Sequence, residues 1–282
     1  MKVIVFTLLW SCVAFGAESK CRDGASPSME HGAASLVVAT LNLAHGRGRA
    51  LNQMLIGKQQ IGRNLDAAGR LLARQGANVV ALQELDVDSL WAGSFDHAAR
   101  LVEAAELNCA VLGLHAETWL YRFGTALLSE VQLIEPRITS FDPTPPTTTK
   151  GFVSATLQWR DNGELRPVRV VSAHLDFSRK GARRQQLADI IEVINRSPIP
   201  IILMGDFNEE WLPDDSVVRR LVDEAGMTAY QPESDRLASY KTSRLDWIFI
   251  SEELEFVTYR TVQDQVSDHR LVVAELRWSR GS

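Results

Sequence analysis

The chain has 282 residues, of which 45% are apolar and 23% charged, and its net charge is −5. That length suffices for one large domain with a sizeable core, and the composition is that of an ordinary globular protein. The acidic balance argues against a protein that coats nucleic acid through a general basic excess, while leaving room for a locally basic cleft.

The chain opens like an export signal. Lys2 gives the positive start, residues 3–15 are almost wholly apolar, and Ala14-Phe15-Gly16-Ala17 offers small residues for cleavage. The apolar run is short for a membrane span, which needs roughly 20 residues. A signal peptide over residues 1–17 and a secreted or periplasmic location are therefore expected, with an uncleaved anchor as the rival reading. Residues 18–34 mix Gly, Ser, Pro and charge without periodicity and read as a flexible leader. Removal of the signal leaves Cys21 and Cys109. They could pair in an oxidising compartment, but the default expectation is that Cys109 is simply buried.

One domain is expected over residues 35–282. Residues 36–41 form an apolar, β-branched run, the pattern of a strand buried on both faces. Ile61, Leu65, Ala68 and Leu72 fall on one helical stripe, which Gly76 stops. Residues 78–82 read as the next buried strand and residues 95–107 as a second helix. Strand patterns follow at 109–114, 124–128, 131–138, 152–159 and 168–173, with a Thr-Pro loop at 143–149. A helix over 179–195 buries Leu187, Ile190, Ile191 and Ile194. A strand at 199–204, a helix at 216–225 and strands at 247–250, 254–259 and 271–278 complete the chain. This order predicts an α/β protein with two packed sheets flanked by helices.

Polar residues recur where the buried strands end or begin: Asn42, Glu84, His174, Asp176, Asp206, Asn208, Asp246, Asp268 and His269. Singly, each has an ordinary reading as a cap, a turn residue or a structural histidine. Together they suit one chemistry. Cleaving a phosphate ester requires neutralised phosphoryl oxygens and an activated water. Glu84 offers the hard oxygen that Mg²⁺ or Mn²⁺ prefers. Asp206 can orient or deprotonate water, and His174 and His269 can hydrogen-bond phosphate. Asn42 and Asn208 add neutral donors or acceptors, and Asp246 can hold a histidine in orientation.

Seven short segments occur in order: Thr40-Leu41-Asn42, Leu82-Gln83-Glu84, Gly124 to Ser129, Ser172-Ala173-His174-Leu175-Asp176, Gly205-Asp206-Phe207-Asn208, Arg244 to Phe249, and Ser267-Asp268-His269. Their arrangement resembles the endonuclease/exonuclease/phosphatase superfamily of deoxyribonuclease I-like hydrolases, and Asn42-Leu43-Ala44-His45-Gly46 looks like its bacterial hydrolase branch. The resemblance implies a four-layer α/β/β/α sandwich. It implies Asn42 and Glu84 as metal ligands with Asp268 as a further one, and Asp206 as the group that positions or activates water. It further implies that Asn208 contacts the scissile phosphate, that His269, oriented by Asp246, stabilises the transition state, and that His174 binds phosphate from the other side. Ala44 stands where many nucleases of the family carry Asp, and Thr125 where Asn is frequent.

Arg183 and Arg184 sit early in the helix expected over residues 179–195, where cations oppose the dipole. Substrate phosphate or a surface carboxylate would offset them. The expected protein is a monomeric exported phosphoesterase using Mg²⁺ or Mn²⁺ on a phosphodiester or phosphomonoester. A phospholipid or small organophosphate stands ahead of nucleic acid as substrate. The alternatives are a nuclease acting on DNA or RNA and, from another class, an inactive binding module on the same fold. The scattered histidines lack a His-Glu-x-x-His segment, and no Gly-x-Ser-x-Gly elbow occurs, which argues against a zinc protease and a serine hydrolase.

Overall fold

The structure, a computed structural model, describes residues 18–29, 35–212 and 215–280. The expected signal peptide lies outside the described residues. In chain order the elements are β1 (Glu18–Cys21), β2 (Leu36–Asn42), α1 (Lys58–Gln75), β3 (Val79–Asp86), α2 (His97–Ala104), β4 (Cys109–Glu117), β5 (Arg122–Ser129), β6 (Ile134–Ser140), β7 (Gly151–Asp161) and β8 (Glu164–His174). They continue with α3 (Lys180–Asn195), β9 (Ile201–Asp206), α4 (Arg219–Asp223), β10 (Thr228–Ala229), β11 (Asp246–Ile250), β12 (Leu254–Thr261) and β13 (Val272–Trp278).

The strands form two sheets. One runs β1-β4-β5-β3-β2-β13-β12 and the other β10-β11-β9-β8-β7-β6. Each contains a single parallel pair, β2 with β3 and β8 with β9. A helix makes each of these crossovers, α1 in the first sheet and α3 in the second, as parallel neighbours require. Alternation along β2 shows why both of its faces are apolar. Leu36 and Val38 enter the core between the sheets, while Ala39 and Leu41 pack toward α1 and α2. Leu203 of β9 and Trp247 and Phe249 of β11 likewise face α3, while Ile202, Met204 and Ile248 face the inter-sheet core. The result is the expected four-layer sandwich.

The first four residues of the expected leader are β1, an edge strand pairing antiparallel with β4 so that Cys21 stands opposite Cys109. The two cysteines are joined as a disulfide, which corrects the expectation that Cys109 is merely buried. β10, paired with β11, is a short strand not expected from the sequence, and other departures are at element ends. α4 covers five residues of the ten expected, and the strand expected from residue 131 begins at Ile134. α1 stops at Gly76, whose φ of 65° suits a residue without a side chain.

Candidate active site

Strand register places the site. His174, Asp206 and Asp246 occupy neighbouring positions across β8, β9 and β11. In the other sheet Asn42 stands beside Gln83 at the ends of β2 and β3. Between Gln83 and Leu85 the pairing of β3 with β5 slips by one residue, and Glu84 is the residue in the bulge, with φ at 52°. A bulge re-aims one side chain without ending the strand. Ala44, His45 and Asn208 also have positive φ. Such conformations cost of order 1–3 kcal/mol each and gather where a structure over-determines geometry for function. Gly205 permits the close approach of β8 and β9, since a Cβ there would lie 1.9 Å from the Ala173 carbonyl oxygen.

The two sheets meet in a cleft of about 390 Å³ lined by Asn42, Glu84, His174, Asp206, Asn208, Asp268 and His269. Arg47, Phe177, Tyr240 and Leu245 complete its wall. The Asn42 amide donates to Asp206 Oδ2 at 3.0 Å, bridging the sheets, while its oxygen accepts from the Ala44 N–H. Beneath the cleft a buried polar strut also crosses. Gln83 Nε2 donates to Ser172 Oγ at 3.1 Å, and that hydroxyl donates to the Leu82 carbonyl at 3.0 Å. Asp246 sits behind His269, with its Oδ2 2.8 Å from His269 Nδ1. His269 Nε2 and His174 Nε2 both face Asp206 Oδ2, at 3.9 and 3.7 Å.

These surroundings divide the titrating groups. Burial disfavours a charge on His269, but the Asp246 and Asp206 carboxylates outweigh it and raise its pKa to about 10. Asp206 is raised above the usual carboxylate range, first by burial and then by the Asp246 charge. His174 is pushed well down by burial and by the Lys150 ammonium, and stays neutral. Burial works against ionisation of Glu84, yet the positive fields of His45 and Lys150 hold it well below its ordinary value.

Glu84 is an ionised group with its side chain only 20% exposed, and it faces His45 Nε2 at 3.5 Å and His174 Nε2 at 3.9 Å. Both separations exceed a good hydrogen bond, so its oxygens are free for a hard cation. With the Asn42 oxygen nearby, the donor set fits a divalent metal. Asp206, Asp246 and His269 also bring one ligating atom each within 4.8 Å of one another. In that group the His269 Nδ1 that faces Asp246 is engaged in the hydrogen bond, so the arrangement suits proton chemistry better than ligation.

Other expected residues fall elsewhere. Asp268 lines the cleft but is ion-paired with Arg47, and its other oxygen accepts from Ser267 Oγ. Arg183 pairs with Glu209 at 2.6 Å and donates to the Asp176 carbonyl, and Arg184 pairs with Asp215 at 3.1 Å. Neither arginine lines the cleft, and the carboxylates answer the dipole conflict that suggested a phosphate. Asp176 caps the entry to α3 and binds Thr144 and Thr147. His45, Arg47, Lys150 and Tyr240 went unnoticed in the sequence. Of these only His45-Gly46, inside the Asn42 segment, carried any local signal.

Residues 39–269 match the model of the Endonuclease/Exonuclease/phosphatase family. No curated protein matches the chain by sequence. Among solved structures it is similar to an endonuclease/exonuclease/phosphatase family protein from Leptotrichia buccalis, at 18% identity and a TM-score of 0.66, over 86% of this chain and 100% of that one. It is also similar to a mannosyl-6-phosphatase from Bacteroides thetaiotaomicron, at 15% identity and a TM-score of 0.64, over 86% and 100% of the two chains. The human Nocturnin catalytic domain with bound sulfate aligns at 17% identity and a TM-score of 0.62, over 93% of this chain and 98% of that one. At these identities the likeness is one of fold.

Proposed function

The chain belongs to the endonuclease/exonuclease/phosphatase family, and from that premise we propose that it is a divalent-metal-dependent hydrolase of phosphate esters. The observation that carries this reading is the pairing of opposites across one cleft: an ionised Glu84, with no hydrogen bond to its carboxylate among the described residues, on one sheet, and Asp206 and Asp246 on the other, met by His269 from the loop before β13. A bound Mg²⁺ or Mn²⁺ would neutralise charge on the phosphoryl oxygens. Asn42 and Glu84 would hold it, and Asp268 would join them on leaving Arg47.

Asp206 takes the proton of the attacking water, and its raised pKa gives it the basicity that this task needs near neutrality. His269 remains protonated and presents Nε2–H toward the developing phosphoryl charge, with Asp246 fixing the ring through Nδ1. Neutral His174 donates a hydrogen bond from the second sheet. Asn208 is anchored by its amide to the Leu175 carbonyl at 3.0 Å and keeps one further N–H for phosphate.

The acidic chain, together with a single arginine in the cleft wall, supports a phospholipid or other small organophosphate ahead of nucleic acid. The test is hydrolysis of bis-p-nitrophenyl phosphate, p-nitrophenyl phosphate, sphingomyelin and plasmid DNA by EDTA-dialysed protein. Turnover restored by Mg²⁺ or Mn²⁺ on the small or lipid esters supports the proposal. Full activity in protein shown by elemental analysis to be metal-free rejects it, and selective cleavage of DNA reassigns the substrate. Export is part of the same proposal. The Cys21–Cys109 disulfide suits an oxidising compartment, and N-terminal sequencing of protein from the native host tests it, with a start near Ala17 or Glu18 expected and an intact Met1 excluding it.

A further inference from the structure

We propose that three loops beyond the cleft form a docking surface for a phospholipid bilayer with anionic headgroups, so that the esters reaching the site are borne on a lipid surface. The proposal rests on the hydrolase reading for the substrate and on the loops themselves for the docking. Leu51, Met54, Leu55, Leu90 and Trp119 are each more than half exposed. A single exposed apolar side chain is ordinary, whereas a contiguous group marks a contact surface. These five come from loops that are tied together. Gln53 Nε2 donates to the His45 and Trp91 carbonyls, both at 3.2 Å, which fastens the loop after β2 to the loop after β3. The Leu90 N–H donates to the Leu120 carbonyl at 2.9 Å, which fastens the second loop to the turn between β4 and β5. Trp91 and Tyr121 stack at that junction, with ring centroids 4.8 Å apart. Parallel pairing of β2 with β3, and antiparallel pairing of β3 with β5, put all three loops at the end of the sheet that carries Asn42 and Glu84.

Charge and shape favour lipid over a protein partner. The chain is acidic overall, yet residues 43–65 contain no Asp or Glu and carry Arg47, Arg49, Lys58 and Arg63. Arg49 and Lys58 are exposed on the same loop as Leu51, Met54 and Leu55, while Arg47 lines the cleft. On the neighbouring loops Glu117 pairs with Arg122 at 3.0 Å, and Asp88 is the opposing charge. Basic residues beside exposed apolar ones match anionic headgroups over hydrocarbon. The apolar side chains also stand on tight turns. Asn52 Oδ1 accepts from the Met54 N–H at 2.9 Å, and Thr118 Oγ1 accepts from the Leu120 and Tyr121 N–H groups at 3.2 Å. Separate protrusions of this kind enter a headgroup layer one by one, and the amphipathic ring of a Trp suits that depth. A protein partner would instead need a continuous, closely packed face. Arg47 joins the two regions, since it begins the loop that carries Leu51 to Leu55 and its side chain forms part of the cleft wall. A phospholipid held at the loops thus presents its phosphate toward the site.

The test is co-sedimentation of the protein with vesicles of phosphatidylcholine, with and without phosphatidylglycerol, alongside turnover of soluble bis-p-nitrophenyl phosphate with Mg²⁺ or Mn²⁺. Binding should be tighter on the anionic vesicles and should weaken with salt. Met54→Ser combined with Leu55→Ser, and Trp119→Ser alone, should each lower vesicle affinity at least about 10-fold, because these side chains leave water on docking. Arg49→Gln should lower affinity for the anionic vesicles about fivefold, the scale of one basic residue at such a surface. Leu165→Ser, an exposed position at the far end of β8, should change nothing. Turnover of the soluble ester should stay at the wild-type level in all of these variants. Wild-type protein that stays in the supernatant with both vesicles overturns the proposal, and so do variants that bind like wild type. A dimer that Met54→Ser with Leu55→Ser dissolves, seen by sedimentation equilibrium, overturns it in favour of a second copy of the chain. Vesicle binding by protein that turns over no phosphate ester upholds the docking surface and overturns the hydrolase reading. Turnover of bis-p-nitrophenyl phosphate without vesicle binding does the reverse.

Discussion

Asp206 and Asp246 stand opposite each other on paired strands, and their different neighbours give them different work. Asp246 faces an imidazolium at 2.8 Å, whereas Asp206 is buried beside that second negative charge and is raised. A base of raised pKa and an acid held protonated predict a bell-shaped rate profile. The acid limb follows ionisation of Asp206, and the alkaline limb follows loss of the His269 proton near 10. Asp206→Asn removes the base and should lower kcat at least ~10²-fold with the fold intact by circular dichroism. In Asp246→Asn the imidazolium loses its main partner, so its pKa falls. The alkaline limb then moves to lower pH and turnover drops, while metal affinity is unchanged because the hydrogen bond of the Asp246 carboxylate goes to the histidine. A pH profile unmoved in this variant would leave Asp246 as no more than the first residue of β11.

At the scale of elements, α3 owes its start to Asp176. Its carboxylate accepts from the Ser178 and Arg179 N–H groups and from the Ser178, Thr144 and Thr147 hydroxyls, tying the helix entry to the loop at 143–149. Burial opposes the charge, but these bonds outweigh it and hold the pKa well below the ordinary value. A depressed carboxylate stabilises the fold above its unfolded pKa of about 3.9 and loses that contribution as pH falls through the folded value. Acid should therefore loosen α3 below about pH 4, visible as loss of helical circular dichroism. Asp176→Ala should cost about 3 kcal/mol in urea unfolding, the upper end for a buried charged acceptor. The strand ends that carry Asn42, His174 and Asp206 were legible because β-branched runs stop abruptly at a polar residue. The bulge at Glu84 was not, since it depends on the register of β3 against β5. Nor was His45 legible as part of the site, because backbone strain and the Asp86 contact aim its ring and neither leaves a periodic trace.

Taken whole, the chain is held by contacts that sequence patterns announce unevenly. The inter-sheet core follows from alternation along strands, and the helix layers from the stripes of α1 and α3. β1 is different: it is a four-residue segment containing Lys20, and it becomes a strand only through pairing with β4 and the bond to Cys109. That disulfide closes a span of 88 residues containing both Asn42 and Glu84. By loop-closure entropy such a ring is worth about 4–5 kcal/mol, with the mechanism model-dependent. Cys21→Ser should therefore lower urea stability by up to about that amount and leave the oxidised wild-type cleft geometry as the reference for activity. A variant as stable as wild type would show that the disulfide adds nothing to the pairing of β1 with β4.

Each wall of the cleft is the rim of a different sheet, and short polar ties span the gap, among them Asn42 to Asp206, His269 to Asp246, and Gln83 through Ser172 to the Leu82 carbonyl. The two sheets thus work like the jaws of a calliper whose gap is read at the catalytic end and set by the depth of the core. Changing a buried side chain such as Met204 or Val79 would shift the gap between Glu84 and Asp206 without touching either. A lineage could in this way admit a bulkier or slimmer phosphate ester by repacking its interior, while every group at the rim keeps its identity.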